Sequence, residues 1–140
     1  MSPDPRQFRP QALLRNPHVQ SVLASSRLRR LLGRRKRAAV EAGAVEHILD
    51  CGENVRLQGF HTAQQALPRA RGLVVLLHGW EGSVQSSYLL HTGARLLQEG
   101  FDVFRLHFRD HGETHHLNED LFHSCRIGEV LGAVRAVAER

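Results

Sequence analysis

The stretch 78–83 has the composition of a loop that could take part in catalysis. It has the sequence His-Gly-Trp-Glu-Gly-Ser and directly follows the apolar run 73–77. Its glycines, Gly79 and Gly82, allow the backbone to turn sharply and leave amide N–H groups uncovered. A backbone N–H that points at a developing oxyanion stabilises a transition state by roughly 2.7–4 kcal/mol. We expect the backbone amide of Trp80, and not its indole, to be such a donor.

The neighbours of that amide are expected to support the loop or to contact a substrate: His78, Gly79, Glu81 and Gly82. His78 is predicted to be a packed or hydrogen-bonded loop residue, since a histidine acting as a general base in a triad needs a serine partner. The nearby serines are predicted to cap the following helix: Ser83, Ser86 and Ser87. The alternative for the whole stretch is a strand-to-helix turn with no catalytic role.

A second group of polar side chains lies between residues 107 and 123. Imidazole and carboxylate groups are ligands for zinc and iron, which makes a metal site one interpretation. The spacing matches no H-E-x-x-H or related signature, so a solvated polar loop is favoured, and no metal or other cofactor is predicted. The residues concerned are His107, His111, His115, His116 and His123 with Asp110, Glu113, Glu119 and Asp120.

The pattern of apolar residues predicts the helices and strands that hold these side chains. The run 73–77 (Leu-Val-Val-Leu-Leu) is apolar at every position, which predicts a strand buried on both faces. Turn residues at 52–54 between two extended stretches predict a hairpin. Ahead of them, Asn16-Pro17 predicts a helix start, and Gly33 with the arginines behind it predicts the end of that helix. The other expected elements are strands over 44–50, 55–62 and 101–108, a helix over 87–99 and a last helix from about residue 124.

The predicted order is a helix, a β-hairpin and then β-α-β-α. Strands that alternate with helices indicate an α/β fold with an open, mostly parallel sheet and helices on both faces. Ligands of such folds bind beyond the carboxyl ends of the strands, where the stretch 78–83 is expected to lie. We therefore divide the chain into an N-terminal arm with a basic helix, residues 1–43, and a core, residues 44–140.

The formal net charge of +5 comes from one segment, because acidic residues outnumber basic ones elsewhere. This run is either the solvated end of a helix, a weak contact for anionic membrane lipid, or a contact for nucleic-acid phosphates. No aromatic residues interleave the basic ones, which argues against nucleic acid, and no specific nucleic-acid partner is predicted. The run consists of Arg27, Arg29, Arg30, Arg34, Arg35, Lys36 and Arg37.

Composition excludes several classes of protein. No apolar run approaches the ~20 residues that span a bilayer, and the first residues lack the pattern of a signal peptide. Cys51 and Cys125 are far apart and belong to no C-x-x-C pair, so a disulfide framework is not expected. Together these features predict a cytoplasmic protein.

Three stretches in this order resemble the α/β-hydrolase superfamily and, more narrowly, its YheT-like esterase branch. The first is Asn-Pro-His-Val-Gln-Ser at 16–21. The second is the stretch 78–83 followed by Ser-Ser-Tyr at 86–88. The third is His-Phe-Arg at 107–109, which leads to His-Ser at 123–124. The resemblance implies a serine hydrolase that acts on small-molecule acyl esters, with Trp80 supplying an oxyanion-hole amide.

Two departures from that family bear on function. Residues 110–113, Asp-His-Gly-Glu, are closer to the Gly-His-Gly loop of hydrolases in general than to the loop of the branch. No G-x-S-x-G nucleophile elbow occurs in the 140 residues, and in the superfamily the acid and base follow the elbow. We therefore expect the front part of a hydrolase without its triad. The alternative is a non-catalytic module that keeps this half of the fold to bind a partner or a membrane surface.

Overall fold

A computed structural model describes Arg9 and the ranges 11–25 and 34–139. The chain divides into two compact units, Met1–Arg34 and Arg35–Arg140. In the first unit a 3₁₀ turn, Ala12–Arg15, precedes helix α1, Pro17–Ser25. The side chain of Asn16 accepts the N–H of His18 at 2.9 Å, which confirms the predicted helix start. Within the described ranges no helix combines the length and the apolar character needed to cross a membrane.

Helix α2, Arg34–Glu41, corrects the prediction that the arginines after Gly33 end a helix. Arg34 begins one instead. The helix is supported by an ion pair between Arg37 and Glu41 one turn apart, at 2.8 Å. It is anchored by the fully buried Val40, whose carbonyl accepts the hydroxyl of Thr62 at 2.7 Å. The other half of the predicted helix, with Leu28, Leu31, Leu32, Arg27, Arg29 and Arg30, lies outside the described residues.

The described strands form one four-stranded sheet in the order β1-β2-β4-β3. They are β1, Val45–Asp50; β2, Arg56–Thr62; β3, Leu73–Leu77; and β4, Asp102–Leu106. The hairpin β1–β2 is confirmed, and its turn places Gly52, Glu53 and Asn54 at positive φ. Only β3 and β4 pair in parallel, so the described sheet is mixed rather than mostly parallel. The hairpin accounts for this difference because it adds to β4 through an antiparallel β2.

Helices cover both faces of this sheet, which confirms the predicted α/β class. Helix α4, Ile127–Ala138, packs on one face, and α3, Ser87–Gln98, packs with α2 on the other. Alternation along β4 explains the division, since Phe104 and Leu106 point to one side and Val103 to the other. The buried residues of the larger cluster are Leu49, Val55, Leu57, Phe104, Leu106, Ala133 and Val137.

Strand β3 is an edge strand of the described sheet. Its terminal residues, Leu73 and Leu77, are both 41% exposed, and its interior residues are only partly buried. The prediction of burial on both faces is therefore wrong for this chain. Because β3 is apolar throughout, both of its faces could be buried. The burial that is observed depends on which strands and helices lie beside it.

Two glycines of α4 make a matched pair for a stability test. A Cβ on Gly132 would lie 2.1 Å from the carbonyl oxygen of Cys51, whereas a Cβ on Gly128 would meet nothing within 4 Å. We expect Gly132→Ala to lower the free energy of unfolding by about 1–3 kcal/mol, because the helix must move away from the hairpin. Gly128→Ala should be neutral or stabilising by up to about 1 kcal/mol. Urea unfolding of both variants tests this, and equal effects would contradict it.

Candidate active site

Two loops meet at one edge of the sheet. The parallel register pairs Leu77 with Leu106, so the chain leaves β3 and β4 at neighbouring positions on the same side. The stretch 78–83 follows the first strand and the stretch 107–112 follows the second. This is the carboxyl edge at which α/β folds bind ligands, and it is where the sequence predicted the candidate residues.

The stretch 78–83 forms a tight turn. The N–H of Gly82 donates to the carbonyl of Gly79 at 2.9 Å, with Trp80 and Glu81 as the two central residues. Glu81 has a φ of 51°, in the left-handed region that non-glycine residues rarely occupy. A Cβ on Gly82 would lie 2.9 Å from the Gly79 oxygen and 3.1 Å from the Cβ of His78. Close packing therefore favours glycine at position 82.

The imidazole of His78 ties this turn to the end of β4. Its Nε2 accepts the N–H of Phe108 at 3.2 Å, and its Nδ1 donates to the carbonyl of Gly79 at 2.9 Å. One nitrogen must accept and the other must donate, so these partners require the neutral ring protonated on Nδ1. Burial lowers the pKa of His78, and proximity to His111 acts in the same direction. His78 is thus a packed, hydrogen-bonded loop residue.

The direction of the Trp80 N–H follows from these contacts. Gly79 and Trp80 share a trans peptide, in which the N–H points opposite to the C=O. Two donors, from His78 and Gly82, hold that C=O in place. The preceding peptide is held as well, because the N–H of Gly79 donates to the hydroxyl of Tyr88. Within the described part of the chain, no group accepts a hydrogen bond from the Trp80 N–H.

Aromatic rings surround this turn. The ring of Phe122 stacks on Phe108 with centroids 5.4 Å apart, and it meets the indole of Trp80 at 6.1 Å. His111 lies edge-on to Phe122 at 4.9 Å and contacts His78 at 4.6 Å. The indole of Trp80 is 75% exposed. Rings from both loops and from the chain before α4 therefore converge at the edge that carries the Trp80 amide.

His107 lies beneath these rings and is 3% exposed. Its Nδ1 donates to the side-chain oxygen of Gln58 at 2.8 Å, while its Nε2 is buried without a partner among the described residues. Burial lowers the pKa of His107 to about 4, with further lowering from His78, His111 and Arg105. The ring is therefore neutral at pH 7, and its protonation would place an unpaired charge in the protein interior.

The pKa of His107 predicts acid destabilisation. The unfolded chain binds a proton at an ordinary histidine pKa near 6.5, whereas the folded chain does so only near pH 4. Between those values only the unfolded state takes up the proton, so stability falls as the pH falls. We expect a loss of about 2 kcal/mol between pH 7 and pH 5 from this residue. Urea unfolding of wild type and His107→Gln measures it, and an equal pH dependence in both proteins would contradict the prediction.

The His-rich loop does not converge on one point. His107 is buried beside His78, whereas His115 pairs with Asp110 on the surface. His116 and His123 are exposed. In the described ranges no group of three or more His, Cys, Asp or Glu side chains has an arrangement that could hold a metal ion. The arrangement does not support the zinc or iron interpretation.

A buried ion pair anchors the loop after β4. The guanidinium of Arg109 donates to both carboxylate oxygens of Glu129, with its shortest bond at 2.7 Å. These side chains are 7% and 12% exposed. The same carboxylate accepts from Arg126 at 3.0 Å, and the pKa of Arg109 is raised chiefly by its hydrogen bond to Glu129. This network joins the loop to the first turn of α4.

The serines before α3 differ from the prediction. Ser86 occupies the N-cap position but makes no side-chain cap bond. Its hydroxyl instead accepts the N–H of Ser83 at 3.0 Å, and the Ser83 hydroxyl accepts the N–H of Gln85 at 3.2 Å. These serines therefore shape the turn that leads into the helix, because the Ser86 hydroxyl bonds back to Ser83 and the Ser83 hydroxyl bonds forward to Gln85. Neither is joined to a histidine by a described hydrogen bond.

Several residues of the site carry little or no signal in the sequence. Tyr88 was noted only as part of a resemblance, although its hydroxyl holds the Gly79 amide. Phe122 is an aromatic residue in a polar loop, and that contrast was the available signal. The Arg109–Glu129 pair spans 20 residues and has no local signal.

Both cysteines are free, and burial raises the pKa of Cys51 to about 11.

Comparison with known proteins relates this arrangement to one fold. No model of a known protein family matches the chain, and no curated protein matches it. The chain is similar to the crystal structure of a lidless α/β serine hydrolase from Xanthomonas campestris, with 22% identity and a TM-score of 0.54. The match covers 70% of this chain and 44% of the hydrolase, so this chain spans less than half of that protein's length. At this identity the likeness concerns the fold, and the chain has an α/β fold of the α/β-hydrolase type.

Proposed function

We propose that this chain is the N-terminal portion of a serine hydrolase that acts on carboxylic acyl esters. The observation that carries the proposal is the N–H of Trp80. It lies on a peptide whose carbonyl is held by two donors, at the carboxyl edge of β3, and it has no acceptor among the described residues. A donor that is oriented before reaction needs no reorganisation when negative charge develops on an ester oxygen.

The chemistry assigned to this site is acyl transfer. A serine hydroxyl attacks the ester carbonyl, a histidine takes the hydroxyl proton, and the carbonyl oxygen becomes an oxyanion that accepts the Trp80 N–H. The bond to the alcohol then breaks, the histidine returns the proton to the leaving alcohol, and the acyl group stays on the serine. Water, deprotonated by the same histidine, then attacks the acyl-serine and releases the carboxylic acid and the serine hydroxyl. His78 is a positioning residue in this scheme, because both of its ring nitrogens are engaged in holding the loop.

The narrower assignment to a YheT-like esterase rests on the three sequence stretches that resemble that branch. Two of them meet in the structure, since the ring of His78 bonds the backbone of Phe108. The first stretch supplies the N-cap of α1. A cytoplasmic location is a separate proposal, which rests on the composition of the chain.

The coding DNA beyond Arg140 tests the proposal most directly. We expect a strand followed by G-x-S-x-G in the reading frame, and hydrolysis of a short p-nitrophenyl ester by the protein that includes it. The purified 140-residue chain should show no turnover above background. Absence of an elbow in every frame, or turnover by the 140-residue chain alone, would overturn the proposal.

A second candidate is a non-catalytic module that contacts anionic membranes. It is favoured by α2, whose first four residues are basic and exposed: Arg34, Arg35, Lys36 and Arg37. Each basic residue near an anionic surface contributes roughly 1 kcal/mol at moderate salt. Co-sedimentation with phosphatidylserine vesicles that is lost in high salt supports this candidate, and no binding at low salt refutes it.

A further inference from the structure

A polar cavity of about 790 Å³ lies between the turn of the β1–β2 hairpin and the loop that precedes α4. The hairpin supplies residues 53–56, the loop supplies residues 115–120, and Arg109 completes the lining. No residue of the stretch 78–83 lines it, so the Trp80 amide is not part of this cavity. Pockets of roughly 300–1,000 Å³ are typical of small-molecule sites.

The side chain of Asn118 joins the two walls of the cavity. Its Oδ1 accepts the N–H of Arg56 at 2.9 Å, and its Nδ2 donates to the carbonyl of Arg56 at 2.8 Å. The hairpin turn is closed by its own backbone, since the N–H of Val55 donates to the carbonyl of Gly52 at 2.9 Å. The walls are therefore fixed before a ligand enters, and binding needs little ordering of the protein.

Two guanidinium groups line the cavity. The buried Arg109 uses its Nε and Nη2 to bond Glu129, whereas its Nη1 makes no hydrogen bond to a described residue. Arg56 makes no ion pair within the described ranges, and its guanidinium donates only to the carbonyl of Leu117, at 3.5 Å. A carboxylate that enters the cavity can therefore accept hydrogen bonds from two arginines.

Unpaired carboxylates lie on the same walls. Glu53 in the hairpin turn and Glu119 in the loop are exposed, and neither makes an ion pair with a residue that the structure describes. The remaining titratable side chains of the lining are His116, which is exposed, and one member of each of two ion pairs: Asp120 with Arg126 and His115 with Asp110. The cavity thus presents available charges of both signs, and a ligand with a single charge meets a like charge there.

We propose that this cavity binds a small zwitterion with a carboxylate and a primary ammonium group, as a free amino acid or a short peptide has. The carboxylate accepts from Arg56 and from Nη1 of Arg109, and the ammonium donates to Glu53 and Glu119. An anion that lacks the ammonium faces the two carboxylates, and a cation that lacks the carboxylate faces the two arginines. The inference uses no part of the Trp80 turn and does not rest on the proposed function.

Nuclear magnetic resonance titration with L-alanyl-L-alanine at pH 7 tests the inference. We expect saturable shifts of the amide signals of residues 53–56 and 115–120, with a Kd of roughly 1 mM because most of the charged groups are exposed. The N-acetylated peptide lacks the ammonium and the peptide amide lacks the carboxylate, so each should bind at least roughly tenfold more weakly. A parallel titration with L-alanine distinguishes an amino-acid site from a peptide site, and tighter binding of either zwitterion than of the singly charged peptides supports the inference. No saturable shift with either zwitterion, or equal affinity for a singly charged peptide, would overturn it.

Two arginine variants separate this site from general attraction by positive charge. Arg56→Gln keeps the backbone bonds to Asn118, and it should weaken L-alanyl-L-alanine binding roughly tenfold and remove the preference over the peptide amide. Arg69→Gln is the matched control, because it loses the same charge at an exposed position outside the cavity. The amide spectra establish that both variants are folded. Equal affinities of the two variants for the peptide would overturn the inference.

Discussion

Proline in place of Trp80 is expected to lower kcat for ester hydrolysis roughly 10²–10³-fold in the protein that joins this chain to a nucleophile elbow. Proline lacks the backbone N–H, so the proposed donor is lost. The turn should survive, because Trp80 is its first central residue, where proline is favoured. KM for p-nitrophenyl acetate should change little, since the negative charge that the donor stabilises develops only in the transition state. KM for a long-chain ester should rise, because this substitution also removes the indole.

Trp80→Ala is the matched control. It keeps the amide and removes the indole, so kcat should be nearly retained, while KM for a long-chain ester rises through the loss of apolar contact. Steady-state kinetics on p-nitrophenyl acetate and octanoate would separate the two effects. If both variants lose kcat equally, the amide is not the donor and the ring accounts for the role of Trp80.

The second large effect that we expect is a loss of stability when the Glu129 carboxylate is removed. Glu129→Ala should lower the free energy of unfolding by about 3–5 kcal/mol, because Arg109 would be left buried without its partner. Arg126, one turn away, would lose its bond to the same carboxylate. A smaller loss of stability is also expected because Glu129 lies in the first turn of α4, where a carboxylate interacts favourably with the helix dipole.

A double substitution separates the net contribution of the Arg109–Glu129 ion pair to stability from the cost of leaving one of its charges buried alone. Arg109→Met combined with Glu129→Leu removes both charges together, and it should be less destabilising than Glu129→Ala alone. Urea unfolding with an unchanged m value provides the comparison. A Glu129→Ala variant that stays within about 1 kcal/mol of wild type would show that water reaches Arg109, and that the pair contributes as little as a surface ion pair.

The site was predictable from sequence to the extent that its signals are local. Gly79 and Gly82 sit directly after an apolar run, which placed a turn with uncovered amides at the end of a strand. Asn16 before Pro17 located a helix start, and the Asn16 side chain makes the expected cap bond. The hairpin followed from Gly52 and its neighbours, all of which adopt positive φ. Each of these signals lies within a few residues of the feature that it predicts.

Predictions failed where the outcome depended on distant partners. The arginines after Gly33 were assigned to the end of a helix, yet α2 forms there because Val40 is buried in the core. The run Leu73–Leu77 was assigned to a fully buried strand, yet it lies at an edge of the described sheet. The hydrophobic pattern of a segment indicates which of its faces can be buried. It does not indicate which other segment will pack against that face.

The order of the elements from β1 onward, the turn after β3 and the residue types around the Trp80 amide are predictable from the sequence alone. Two contacts depend on the tertiary structure: the ring of His78 reaches the backbone of Phe108, 30 residues away, and the ring of Phe122 meets the indole of Trp80. The reason is the parallel register of β3 and β4, which brings two loops to one edge of the sheet. Register depends on the pairing of whole strands, so it cannot be predicted from the local sequence of a loop.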